Sequence, residues 1–112
     1  MRFLVMCKWY EITGLLPGSV IRQAILSLRD VMKRQKEEEK VTEAQWMITG
    51  NRWFIIYECE SVGVLWKYLN ELPLAGHIDK EVFPLMDFDE ATDVIMENME
   101  AGDNMMPGGT VK

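Results

Sequence analysis

Arg52-Trp53-Phe54-Ile55-Ile56-Tyr57-Glu58-Cys59-Glu60, with the run from Ser61 to Leu85 that follows it, decides the fold of this 112-residue chain. Residues 52–60 are rich in aromatic and β-branched side chains, which suit a pleated backbone, so they are read as a strand. Ser61 then offers a hydroxyl to cap a helix. Val64, Leu65, Tyr68, Leu69 and Leu72 recur at the 3.6-residue spacing that gives such a helix one apolar face. Leu72-Pro73-Leu74-Ala75-Gly76 stops it, because proline has no amide hydrogen to continue the helix. Ile78–Leu85 reads as a further strand, and Pro84 places its end at an edge or bulge. The stretch is therefore strand, helix, strand.

Working outward, residues 2–10 are β-prone and apolar on both faces, as a central strand is. Lys8 interrupts the run and no small-residue cleavage site follows, so a first strand is expected rather than a signal peptide. Thr13-Gly14 and Pro17-Gly18 are turn chemistry, and Ser19 is expected to cap the next helix. From Val20, the residues Ile21, Ala24, Ile25, Leu28, Val31, Met32 and Gln35 share one stripe. This predicts a long amphipathic helix ending in the solvated run Lys36–Lys40. Val41–Thr49 is expected as a strand with Ala44, Trp46 and Ile48 on one face, joined to residue 52 by a Gly50-Asn51 turn. A short last helix is expected from Asp89 to Met99, its two leading acids favourable at a helix N-terminus. The chain thus divides into an α+β domain over 1–101 and a C-terminal tail over 102–112.

The order βαββαβ plus a helix is the ferredoxin-like arrangement, with an antiparallel sheet carrying both helices on one face. Trp9, Tyr10, Trp46, Trp53, Phe54 and Tyr57 are shared between the two sheet faces, so the other face is too apolar to remain in water. Pairing of two such faces into a dimeric α/β barrel is expected, and that makes a second copy of the chain its first partner.

Composition excludes other classes. A net charge of −6 and a pI near 4.8 disfavour nucleic acid and anionic membrane surfaces. No apolar run reaches the roughly 20 residues that span a bilayer. Cys7 and Cys59 sit in strand-like runs without metal-ligand spacing, as buried free thiols of a reducing, cytoplasmic compartment do. One histidine with two scattered cysteines makes no typical zinc site, and no cofactor motif is present. The nine methionines read as adaptable core filler.

The segment Glu58-Cys59-Glu60-Ser61, then Leu65, then Leu69-Asn70-Glu71-Leu72-Pro73-Leu74-Ala75-Gly76-His77-Ile78-Asp79-Lys80-Glu81-Val82-Phe83-Pro84-Leu85, resembles muconolactone isomerase. Met1, Phe3, Trp46 and Gly50 fit the same family pattern. The resemblance is densest over 53–85 and thin over 11–45. It implies a dimeric α/β barrel, assembly into larger oligomers, and a cofactor-free isomerase that moves a proton on a small unsaturated lactone or enol-type acid. It also admits a non-catalytic ligand-binding or assembly barrel, or a cofactor-free monooxygenase or cyclase of the same fold. The family's first helix carries paired glutamates; the nearest acid here is Asp30, beside Arg29, opposite the Leu28 stripe and so read as exposed. His77 stands where the family usually has an aromatic residue.

Proton transfer beside a carbonyl needs a base, a donor to the developing enolate and an anchor for a substrate carboxylate. His77 is of the one side-chain type that titrates near neutrality unaided. Glu58 is the alternative base: inside an apolar strand it becomes one if a cavity desolvates it, and stays an ordinary carboxylate if its strand end meets solvent. Asp79 and Glu81 alternate on one face and suit a solvated or interface role. Tyr10 is the candidate donor, Lys8 or Arg52 the anion anchor, and Trp46 a wall for a substrate ring.

Overall fold

The computed structural model describes residues 1–47 and 51–105, with side chains as far as Gly102. Its elements run β1 (Arg2–Trp9), a 3-10 turn (Glu11–Leu15), α1 (Gly18–Glu37), β2 (Val41–Trp46), β3 (Arg52–Glu58), α2 (Val62–Leu69), a second 3-10 turn (Ala75–His77), β4 (Ile78–Leu85) and α3 (Phe88–Met105). The sheet is ordered β2-β3-β1-β4 and every neighbouring pair is antiparallel. This is the expected ferredoxin-like α+β fold.

Alternation along the strands sorts side chains between two faces. Phe3, Val5 and Cys7 of β1 and Trp53, Ile55 and Tyr57 of β3 are buried on one face, where Leu28 of α1 and Leu65 and Leu69 of α2 close over them. Burying each such side chain stabilises the fold by roughly 1.5–3 kcal/mol. The opposite face carries Leu4, Met6, Phe54 and Ile56, half-buried, and Phe83 and Leu85, exposed. No element of the described residues covers it.

Two buried polar groups hold the helices to the sheet. Gln35, fully buried on α1, accepts a 2.7 Å hydrogen bond from the Tyr57 hydroxyl. Its amide nitrogen donates to the Tyr68 carbonyl at 3.2 Å and to the Glu71 carboxylate at 3.1 Å. Arg34 donates to the same Glu71 oxygen from the solvent side. The helix stripe pointed Gln35 inward but did not show these partners.

Several boundaries differ from the sequence reading. α1 begins at Gly18, after Pro17, and no side chain caps it, so Ser19 lies inside the helix. The Pro17 carbonyl instead accepts from the Val20 and Ile21 amides, which starts the helix from the backbone. Ser61 does cap α2, its hydroxyl accepting from the Val64 amide at 3.3 Å. β3 ends at Glu58, although the Cys59 amide still donates to the Met1 carbonyl at 2.9 Å, in line with the β1–β3 register. A bulge between Val41 and Glu43 distorts the start of β2, though Ala44 and Trp46 keep one parity. Ile48, Thr49 and Gly50, and with them the expected turn, lie outside the described residues, as do residues 106–112 of the expected tail. α3 starts one residue early and continues through 102–105, where a tail was expected.

Both cysteines are buried and free. Burial pushes the Cys7 thiol from 9.0 up to about 12, against the opposing pull of Lys80. Burial also raises Cys59 and Tyr57. A thiol that ionises earlier in the unfolded chain than in the folded one costs nothing below pH 9 and erodes stability as pH rises from there toward 12. The urea midpoint should therefore fall as pH rises from about 9 to 10.5, and fall less steeply in Cys7→Ala. Parallel slopes in the two proteins would show that Cys7 is not the titrating group.

Candidate active site

The site lies where β1 runs out of the sheet. Lys8 is registered between Arg52 on β3 and Asp79 on β4, all three on the open face. Two cations directly opposite one another on an antiparallel pair repel. Neither is held in a salt bridge among the described residues: the ion pairs there join Arg2 to Glu58, Arg29 to Asp30, and Arg34 to Glu38 and Glu71. The chain then turns through Tyr10, whose amide donates to the His77 carbonyl at 2.8 Å. That bond ties the end of β1 to the loop before β4. An open cavity of about 660 Å³ results, lined by Lys8, Trp9, Tyr10, Glu11, Arg52 and Asp79 among others. The expected donor and both expected anion anchors therefore share one cavity.

His77 is not among the residues lining that cavity; its backbone carbonyl, bonded to the Tyr10 amide, joins it to the cavity's edge. Its Nδ1 lies 3.2 Å from the hydroxyl of Thr13, a buried residue of the first 3-10 turn. When Nδ1 carries the proton and donates to Thr13, Nε2 is left with the lone pair that a base requires. The turn leading to His77 is set by Leu74, in the left-handed region at φ 52°, whose carbonyl accepts from the His77 amide at 2.8 Å. Leucine rarely adopts that conformation, so the loop holds some strain. Thr13 escaped the sequence reading, because sixty-four residues separate it from His77 and no local pattern links them.

Glu58 is not part of this constellation. It sits at the other end of β3, six residues and roughly 20 Å from Arg52. It pairs with Arg2 at 3.3 Å and its side chain is 47% exposed. The strand end meets solvent, and there Glu58 is an exposed carboxylate paired with Arg2. Asp30 is exposed beside Arg29, 3.9 Å away, as expected.

Trp46 lines a different space, a cavity of about 190 Å³ between α1 and β2 with Leu28, Met32, Gln45 and Trp53. The two cavities share an aromatic wall. Trp53 lies between Trp9 and Trp46, with ring centroids 5.1 and 4.8 Å away. The Trp53 indole nitrogen is buried and donates to no group in the described structure. A buried donor without a partner is costly, and tryptophan is usually satisfied.

Sheet order and helix placement define the class: a muconolactone isomerase-like α+β fold. A solved muconolactone isomerase superposes with a TM-score of 0.66 at 24% identity, covering 78% of this chain and 90% of that one. A 5-chloro-2-hydroxyhydroquinone dehydrochlorinase from Burkholderia phenoliruptrix AC1100, solved with 2,5-dihydroxybenzoquinone, superposes with a TM-score of 0.57 at 19% identity, covering 80% and 98%. At such identities the likeness is one of fold. Residues 1–99 match the family model described as "Domain of unknown function (DUF3303)", and the chain belongs to that family. A search of curated proteins returns no match. No helix among the described residues is long and apolar enough to cross a membrane.

Proposed function

We propose that this chain is a cofactor-independent enzyme that moves a proton on a small unsaturated lactone or enol-type acid, working as a dimer or a multiple of dimers in the cytoplasm. The carrying observation is the adjacent Lys8 and Arg52, two cations held side by side at a cavity, neither in a salt bridge among the described residues. A substrate carboxylate between them relieves their repulsion and is fixed by charge-assisted hydrogen bonds. Tyr10 donates to the carbonyl oxygen. His77 takes the proton from the carbon beside that carbonyl, and the bond electrons move to the oxygen as an enolate. The imidazolium then returns the proton at a different carbon, so the double bond shifts and nothing is gained or lost. Thr13 orients the ring. The fold's relatives act on lactone and hydroquinone chemistry, which supports this substrate class. Domain limits of 1–101 belong to the same reading.

Pairing of the open faces through Leu4, Met6, Phe54 and Ile56 would shelter the cavity mouth from water. The rival is a barrel that binds or assembles without catalysis, favoured by the exposed Glu58 and by the projecting α3.

The test is proton exchange with muconolactone in deuterium oxide, followed by NMR. Deuterium should enter beside the carbonyl with the wild-type protein, and roughly 100-fold more slowly with His77→Ala. Undiminished exchange in that variant removes His77 from the base role, and no exchange with either protein moves the reading to the rival.

A further inference from the structure

The cavity at the end of β1 holds a charged side chain for which the reaction proposed above has no use. Asp79 is registered opposite Lys8 on β4, as Arg52 is on β3, so two cations and one carboxylate form a row across three adjacent strands of the open face. All three line the cavity. Glu81, two residues along the same face of β4, is registered with Met6 and lines none of it. The structure thus separates the two alternating acids of β4, and Asp79 alone belongs to the site.

Asp79 is half-buried and stands in no salt bridge among the described residues, even with Lys8 beside it. A carboxylate drawn partly out of water is usually paired or hydrogen-bonded. Glu11, exposed in the first 3-10 turn, adds a second carboxylate to the lining. The charges of the cavity therefore cancel, Lys8 and Arg52 against Asp79 and Glu11. A ligand with one carboxylate is held at the cationic end of the row, and a second carboxylate on its far side would face Asp79. Like charges brought together there oppose binding, whereas a hydroxyl donates a charge-assisted hydrogen bond to the aspartate. The spacing suits a ring. Strands lie about 4.8 Å apart, so a carboxylate between Arg52 and Lys8 is about 7 Å from the line of Asp79. Opposite substituents of a six-membered ring span such a gap.

We propose that Asp79 sets the specificity of this cavity. Among small ring acids it favours those with one carboxylate and a hydroxyl opposite it, and it disfavours dicarboxylates. The inference rests on the anchor role given above to Lys8 and Arg52, and adds what meets the far side of the ligand.

Calorimetric titration at low ionic strength, where charge is least screened, tests it with para-hydroxybenzoate, benzoate and terephthalate. The wild-type protein should bind the hydroxy acid at least about tenfold more tightly than the dicarboxylate, with benzoate between them. Asp79→Asn should bring the hydroxy acid and the dicarboxylate within about threefold of each other, and Asp79→Lys should reverse their order, which loss of a merely structural aspartate would not do. Equal binding of those two ligands by the wild type overturns the role of Asp79 and leaves the anchor standing. Binding of none of the three removes the anchor, and the inference falls with it. A tenfold preference that survives in Asp79→Asn also overturns the inference, and that variant decides the matter if a lysine opposite Lys8 prevents folding.

Discussion

Arg52→Gln should leave the protein as stable as before, or slightly more so, while weakening an anionic ligand about 10- to 100-fold, as expected for losing ~1.5–3 kcal/mol of hydrogen bonding to a charged group. Loss and gain separate because of the register. Lys8 faces Arg52 on one side and Asp79 on the other. Removing the arginine deletes the repulsive neighbour and keeps the attractive one, so the strand pair gains or stays level. The ligand loses half of its anchor. Arg52→Gln keeps the first part of the stem and a neutral amide at its tip, so thermal unfolding beside the titration separates lost anchoring from a local collapse. Calorimetric titration with 2,5-dihydroxybenzoquinone, an acidic enol that the dehydrochlorinase relative holds, supplies the binding arm. Thermal unfolding supplies the other. A thermal midpoint several degrees lower would mark Arg52 as structural, and unchanged affinity would remove the anchor.

What could be read in advance follows from the range of the interactions. β3 and the Leu72–Leu85 segment declare themselves locally. Trp53, Ile55 and Tyr57 alternate with Phe54, Ile56 and Glu58, and the alternation alone assigns the two faces. Lys8 and Tyr10 share a parity, so their neighbourhood is legible, but their meeting with Arg52 depends on the β1–β3 register, which no residue in either strand announces. Glu58 shows the same limit from the other side. Its strand is as apolar as any in the chain, yet position along the strand decides exposure, and Glu58 is the last residue. The Thr13–His77 contact and the unpaired indole of Trp53 arise from tertiary closure and leave no local trace. α3 was underestimated because Gly102 and Asp103 are poor helix formers, a weak preference that the rest of the helix overrides.

The buried Gln35–Tyr57 pair should be the most costly polar interaction to break singly and much less costly to remove whole. Tyr57→Phe leaves the Gln35 amide oxygen buried with its 2.7 Å donor gone. A stranded buried acceptor costs about 1–3 kcal/mol, or roughly 4–8 °C of thermal midpoint per kcal/mol in a domain of this size. Gln35→Leu strands the Tyr57 hydroxyl instead and also releases the Tyr68 carbonyl and Glu71, so its loss should be at least as large. The double variant has no orphan at the centre and gains an apolar contact between α1 and β3. It should be more stable than the sum of the single losses predicts, by about 0.5–3 kcal/mol, the range of coupling seen between contacting residues. Urea unfolding of the four proteins measures the cycle directly. Simple additivity would mean that water already reaches the pair, and that α1 is held to the sheet by the Leu28 contacts alone. Positive coupling of this size would instead make Gln35 the residue that fixes the angle of α1 on the sheet.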